Sequence, residues 1–159
     1  MSTTTGIYLF AHILGVVLWF GVTLVLAFVT GRATRSGDFG TIAFAYRTAS
    51  HLTKTVGLTG MALTVLSGFA LTAALDYGYF QPTPDHWLFQ MQALGVLAFA
   101  VGALYQIPLS ERLARAAEAS ASAGEASGAF TKYRKRYALV SSVLGFTLLV
   151  IVALATLKP

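Results

Sequence analysis

The sequence contains no cysteine. That excludes disulfides, thiolate-bound metals, iron–sulfur clusters, covalent c-type haem attachment and a cysteine nucleophile. Charge is scarce too. Asp, Glu, Lys and Arg make up 11% of the 159 residues, against about a quarter in soluble domains. Such a chain lacks the polar surface to cover itself in water, and 56% of it is hydrophobic. No acid falls inside an apolar run, no two histidines stand at zinc spacing, and no glycine-rich loop would cradle a phosphate. Nothing in the sequence therefore supports hydrolysis of a soluble substrate or any independent catalytic activity.

What is present is long stretches without charge. None of Asp, Glu, Lys or Arg occurs in residues 1–31, 55–75, 86–110 or 137–157. Each run reaches the roughly 20 residues a helix needs to cross a bilayer core of about 30 Å. The chain reads as all-α: one integral membrane domain over 1–159, a bundle of four transmembrane helices spanning approximately 7–30, 52–76, 87–109 and 137–157. The first run has no basic flank before it, and Arg32 and Arg35 follow it. It reads as a signal anchor with its N-terminus outside.

The basic residues set the orientation. Ten of the eleven lie between spans one and two or between spans three and four; Lys158 is the exception. The positive-inside rule then gives N-out, C-out, a multi-pass protein with non-cytoplasmic termini. The net charge of +5 belongs to topology and to contact with anionic lipid, with no nucleic acid as partner.

Between the spans, Gly31, Gly37 and Gly40 mark a turn, with Ser36 and Asp38 as helix caps. Residues 41–54 extend span two beyond the membrane, and span three continues past Pro108. The Ala/Ser/Gly-rich stretch 119–128 reads as a flexible linker. Tyr77, Tyr79, Phe80 and Trp87 fit an interfacial aromatic belt. In lipid, small residues mark packing faces. Span two offers Gly57, Gly60, Thr64, Ser67 and Leu71 with Gly68 beside them; span three offers Gln92, Gly95, Phe99, Gly102 and Gln106. Span one offers Gly15 and Gly21, and span four Ser141 or Ser142 with Gly145. Both glutamines point inward, since an amide facing acyl chains is costly.

An ionisable residue at membrane depth is a functional hypothesis. His12 lies about five residues, or ~8 Å, inside span one, on a face shared with Tyr8, Gly15 and Trp19. It can ligate a metal, carry a proton or bond a neighbouring carbonyl. Met91 lies at matching depth in span three, and a thioether suits haem iron or Cu(I). His51 belongs to the opposite side of the bilayer, ~20 Å or more away, so the two histidines cannot share one iron. His51 with Lys54 forms a headgroup-facing patch, and His86 sits at the outer interface.

The run His12-Ile-Leu-Gly15-Val-Val-Leu-Trp19-Phe20-Gly21, the turn from Gly31 to Asp38 and the end Leu157-Lys158-Pro159 resemble a bacterial family of predicted integral membrane proteins of unknown function. That resemblance covers nearly the whole chain and implies four helices. The His-x6-Trp spacing also resembles two characterised groups. These are the copper-resistance D proteins and the haem-containing, oxygen-independent protoporphyrinogen oxidases. The oxidases imply a b-type haem (heme b) on the span-one histidine, here His12, and a lysine early in span three. Trp87–Gln92 contains no lysine, and Met91 stands about where it would be.

Three readings follow. In the first, His12 and Met91 ligate a b-type haem for electron transfer or redox sensing, with Tyr8, Trp19 and Gln92 as the pocket wall. In the second, the chain is a non-catalytic accessory or scaffold subunit, its partners being the lipid bilayer and either other membrane subunits or further copies of itself. In the third, it is a permease for copper or another small solute.

Overall fold

A computed structural model describes residues 2–81 and 86–157, the side chain of His86 excepted. Pro82, Pro84, Lys158 and Pro159 lie outside the described residues, as does the interfacial setting expected for the His86 side chain. The described secondary structure is entirely helical. Helix α1 covers Thr3–Ser36, α2 Phe39–Leu52, α3 Leu58–Ala74, α4 His86–Val101, α5 Ile107–Ala123 and α6 Gly128–Leu157. Helices α2 and α3 join through a π-helical turn at Thr53–Gly57, and α4 and α5 through another at Gly102–Gln106. Four long apolar rods result: Thr3–Ser36, Phe39–Ala74, Trp87–Ala123 and Gly128–Leu157.

At 1.5 Å per residue, rods of 30–37 residues run about 45–55 Å. That exceeds a ~30 Å hydrocarbon core by several turns. The excess is concentrated where the basic residues are. There α2 and α5 are amphipathic and close a small core of their own on α6, with Ile42, Tyr46, Leu113, Ala117, Phe130 and Tyr137 buried together. A second core, centred on Trp19, Met61, Ala98 and Leu144, sits among the apolar spans. The extension of span two expected from residues 41–54 is present as α2.

The turns follow their residues. Gly37 and Gly124 take left-handed φ values of 72° and 73° at helix C-termini, where a side chain would be strained. Asp38 caps α2, accepting from the Thr41 amide at 2.8 Å and from its hydroxyl at 2.5 Å. These bonds hold its carboxyl below the ordinary aspartate range. Pro108 stands two residues after the second π turn; a proline lacks the N–H that regular i→i−4 bonding needs, and irregular turns absorb such breaks.

The linker expected over 119–128 is much shorter in the structure. Helix α5 runs to Ala123, leaving a turn at 124–127. Alanine has the highest helix propensity, and Ser120 and Ser122 bond back to the carbonyls of Ala116 and Glu118. Ser120 is fully buried, and its oxygen accepts from the Ser127 amide at 3.1 Å, so it ties the turn down.

Candidate functional site

Helices α1 and α3 pack antiparallel at very close range. A Cβ on Gly15 would stand 2.6 Å from the backbone nitrogen of Thr64, and one on Gly60 would stand 2.7 Å from that of Trp19. Both positions must therefore be glycine for the helices to approach this far. One turn further along, Gly68 leaves a seat for an aromatic ring: a Cβ there would lie 3.1 Å from His12 Cε1. The His12 ring rests on that seat, and its Nδ1 lies 2.9 Å from the Thr64 carbonyl oxygen.

A carbonyl can only accept, so Nδ1 carries the proton. In the neutral ring Nε2 then holds the free lone pair. No described side chain bonds to Nε2. No buried side-chain N or O among the described residues lacks a partner, so Nε2 keeps open surface. An Nδ1–H bonded to a main-chain carbonyl is the outer-shell arrangement that orients metal-ligating histidines. Ser67 Oγ stands 3.5 Å from the same Nδ1, but its hydroxyl is committed to the Leu63 carbonyl.

His12 lines a cavity of about 190 Å³ in the half of the bundle away from the basic end. All four rods contribute to it. Trp19 and Val16 come from α1, Gly68 and Leu71 from α3, Met91 and Gly95 from α4, and Leu148 and Ile151 from α6. The cavity thus brings together His12, Met91, Trp19 and Gln92. Tyr8 is half-buried one turn away from His12 and does not line it. Gln92 lines it with its polar atoms already engaged: Oε1 accepts from the Phe80 amide at 2.7 Å, and Nε2 donates to Thr72 Oγ1 at 3.4 Å. Gln106 is buried and donates to Ser141 Oγ at 3.0 Å. Both amides therefore point inward and bond across helices.

His51 is exposed on the same rod, 13 residues before Thr64, or about 20 Å away along the axis. Its neighbour Lys54 pairs with Glu111 at 2.8 Å, which holds the Glu111 carboxyl below the usual range. Among the described residues, no group of three or more His, Asp and Glu could hold a metal ion.

Sequence reasoning did not foresee Thr64 and Gly68 as partners of His12. Both stood on the packing stripe of span two. Linking them to span one requires the register of the pair, which Gly15 and Gly60 fix only once they are known to face each other.

The sequence pattern of the family described as "Predicted integral membrane protein (DUF2269)" matches residues 7–159. The chain belongs to that family. No curated protein and no solved structure matches it. Membership agrees with the four candidate spans, and the family's description assigns no reaction.

Proposed function

We propose that this membrane protein would hold a b-type haem through Nε2 of His12, with Met91 as the second ligand, for electron transfer or haem-linked redox sensing. The observation that carries the reading is the 2.9 Å bond from His12 Nδ1 to the Thr64 carbonyl, which fixes the ring and leaves Nε2 open. Met91 lines the same cavity, and a His/Met pair is an established haem donor set. The resemblance of His12 and Trp19 to the haem-containing oxidases supports the same assignment.

The donors fit haem iron; the cavity as it stands is small for the macrocycle. About 190 Å³ falls short of the roughly 300–1,000 Å³ of ordinary cofactor pockets. A haem there would need the helices lining the cavity to part. The bound group would supply one-electron chemistry; His12, Thr64 and Gly68 would supply its orientation. In this reading the cavity belongs to the non-cytoplasmic half of a bacterial cytoplasmic membrane, which the distribution of basic residues supports.

The test is an absorption spectrum of detergent-purified protein expressed with added haem precursor, oxidised and dithionite-reduced. The expected result is a Soret band with sharp reduced α and β bands. His12→Ala should abolish it, and Met91→Leu should convert it to a high-spin spectrum. A featureless wild-type spectrum overturns the reading and favours the accessory or scaffold role. A His12→Ala spectrum like wild type overturns the ligand assignment.

A further inference from the structure

The basic half of the bundle holds a second, much larger cleft, of about 790 Å³. It opens chiefly between α1 and α6. On α1 its lining runs from Trp19 to Arg35, and on α6 from Arg134 to Leu149. Sixteen and fifteen helical steps measure about 24 and 22 Å along the axis. One bilayer leaflet, half of a ~30 Å core plus its headgroup zone, is about 20–22 Å deep. The cleft is thus one leaflet long.

Its lining is graded. At the basic end stand Arg35, Arg134 and Lys135. Next come hydroxyls, among them Thr34 with Tyr46 (3.2 Å apart) and Tyr137 with Thr53 (3.4 Å apart). The far end is apolar, with Phe20, Leu24, Phe146 and Leu149. No acidic residue lines the cleft. The ion pairs among the described residues, Arg47–Glu118 and Lys54–Glu111, leave these three cations without a carboxylate. Gly31 and Gly145 face the space with nothing within 4 Å of where a Cβ would stand.

We propose that this cleft seats one anionic phospholipid of the leaflet facing the basic end. Its phosphate lies among Arg35, Arg134 and Lys135, and an acyl chain runs along the groove toward Phe146 and Leu149. Three cations at headgroup depth have no carboxylate beside them, though Arg134 also lies 5.9 Å over the Phe130 ring, and they call for an anion. The graded lining below them calls for a narrow apolar chain covalently attached to that anion. The volume lies within the range of small-molecule sites.

The experiment uses the full chain in a neutral detergent, with native mass spectrometry and thermal unfolding as readouts. The probes are a phosphatidylglycerol, a phosphatidylcholine of the same chains, and inorganic phosphate alone. The expected result is one retained phosphatidylglycerol per chain, a preference over phosphatidylcholine of at least about tenfold, and a higher unfolding temperature with phosphatidylglycerol only. Arg134→Ala with Lys135→Ala should abolish the preference. Arg112→Ala with Arg115→Ala removes the same charge from the same end outside the cleft and should leave it intact. Gly145→Leu keeps every charge and blocks the groove, and should weaken both lipids. Equal binding of the two lipids overturns the proposal, as does loss of preference in the Arg112/Arg115 control. Stabilisation by phosphate alone, unaffected by Gly145→Leu, shows a free-phosphate site and overturns the lipid assignment.

Discussion

The contact between α1 and α3 sets a severe steric limit, and its breach can be worked out in distances. In Gly15→Ala the new methyl would stand 2.6 Å from both Thr64 N and Thr64 Oγ1, and 3.0 Å from the Gly60 carbonyl oxygen. Ordinary contact between heavy atoms is about 3.5–4.0 Å. The overlap is therefore about 1 Å, and it is against backbone, which cannot rotate aside. The helices must part by nearly that amount. A 2.9 Å bond from His12 to Thr64 then stretches to almost 4 Å and ceases to be a hydrogen bond. Overpacking costs about 1–3 kcal/mol and the lost bond about 0.5–1.5, so Gly15→Ala should destabilise by about 2–4 kcal/mol. Gly60→Ala meets Trp19 N at 2.7 Å and should do the same. Gly21 is the control: nothing lies within 4 Å of its Cβ position, and alanine is the better helix former. Gly21→Ala should therefore cost nothing or stabilise slightly. The assay is unfolding in mixed micelles with increasing dodecyl sulfate, followed by circular dichroism. If the Gly15 and Gly60 variants unfold with Gly21→Ala, the close crossing is not what holds α1 on α3.

Three smaller effects follow from the same structure. The Gln106–Ser141 bond between the α4–α5 rod and α6 should show a coupling of about 0.6 kcal/mol, and not above about 1.7, in a double-mutant cycle of Gln106→Leu and Ser141→Ala. Ser120→Ala deprives the Ser127 amide of its acceptor and should cost about 1 kcal/mol, with faster proteolysis at 124–127 as the sensitive readout. Glu111 has its folded-state value lowered by Lys54, so the pair stabilises above the unfolded glutamate value of 4.5 and loses that contribution as pH falls through the lower folded value. Because the pair is exposed the loss should be small and screened by salt, and Glu111→Gln should flatten that part of the pH profile.

The fold was legible because lipid imposes one rule on every span. Apolar runs of about 20 residues must be helices, and four of them appear as four rods. The glycines of spans one and two were legible as small residues but not as a crossing. Gly15 and Gly21 look alike in sequence, yet only Gly15 meets another backbone. The difference is helix rotation, which is fixed by the partner. The Ala/Ser stretch misled for a related reason. Serine favours loops in isolation, whereas Ser120 is fully buried and bonds to the Ala116 carbonyl and the Ser127 amide. At the site, His12 was conspicuous by chemistry alone; its Thr64 and Gly68 partners are 52 and 56 positions away, beyond any local pattern. The basic residues carried a topological message strong enough to hide that three of them, on two helices, ring one cleft.

Trp19 connects these observations. Among the described residues it alone lines both cavities, and it is 2% exposed. The indole therefore acts as the partition between the His12 cavity and the α1–α6 cleft. Its backbone nitrogen sits over Gly60, so the glycine crossing fixes the height of the partition as well as the seat of His12. Removing the ring should do two separable things. Trp19→Ala should cost about 3–5 kcal/mol, as for other buried aromatic truncations. It should also join the two spaces into one passage reaching toward both ends of the bundle. Vesicles containing Trp19→Ala should then leak protons faster than wild-type vesicles, while Trp19→Phe, which keeps most of the bulk, should stay tight. If the alanine variant loses stability but its vesicles remain as tight as wild type, the helices have collapsed over the gap and the two cavities are independent features of the bundle.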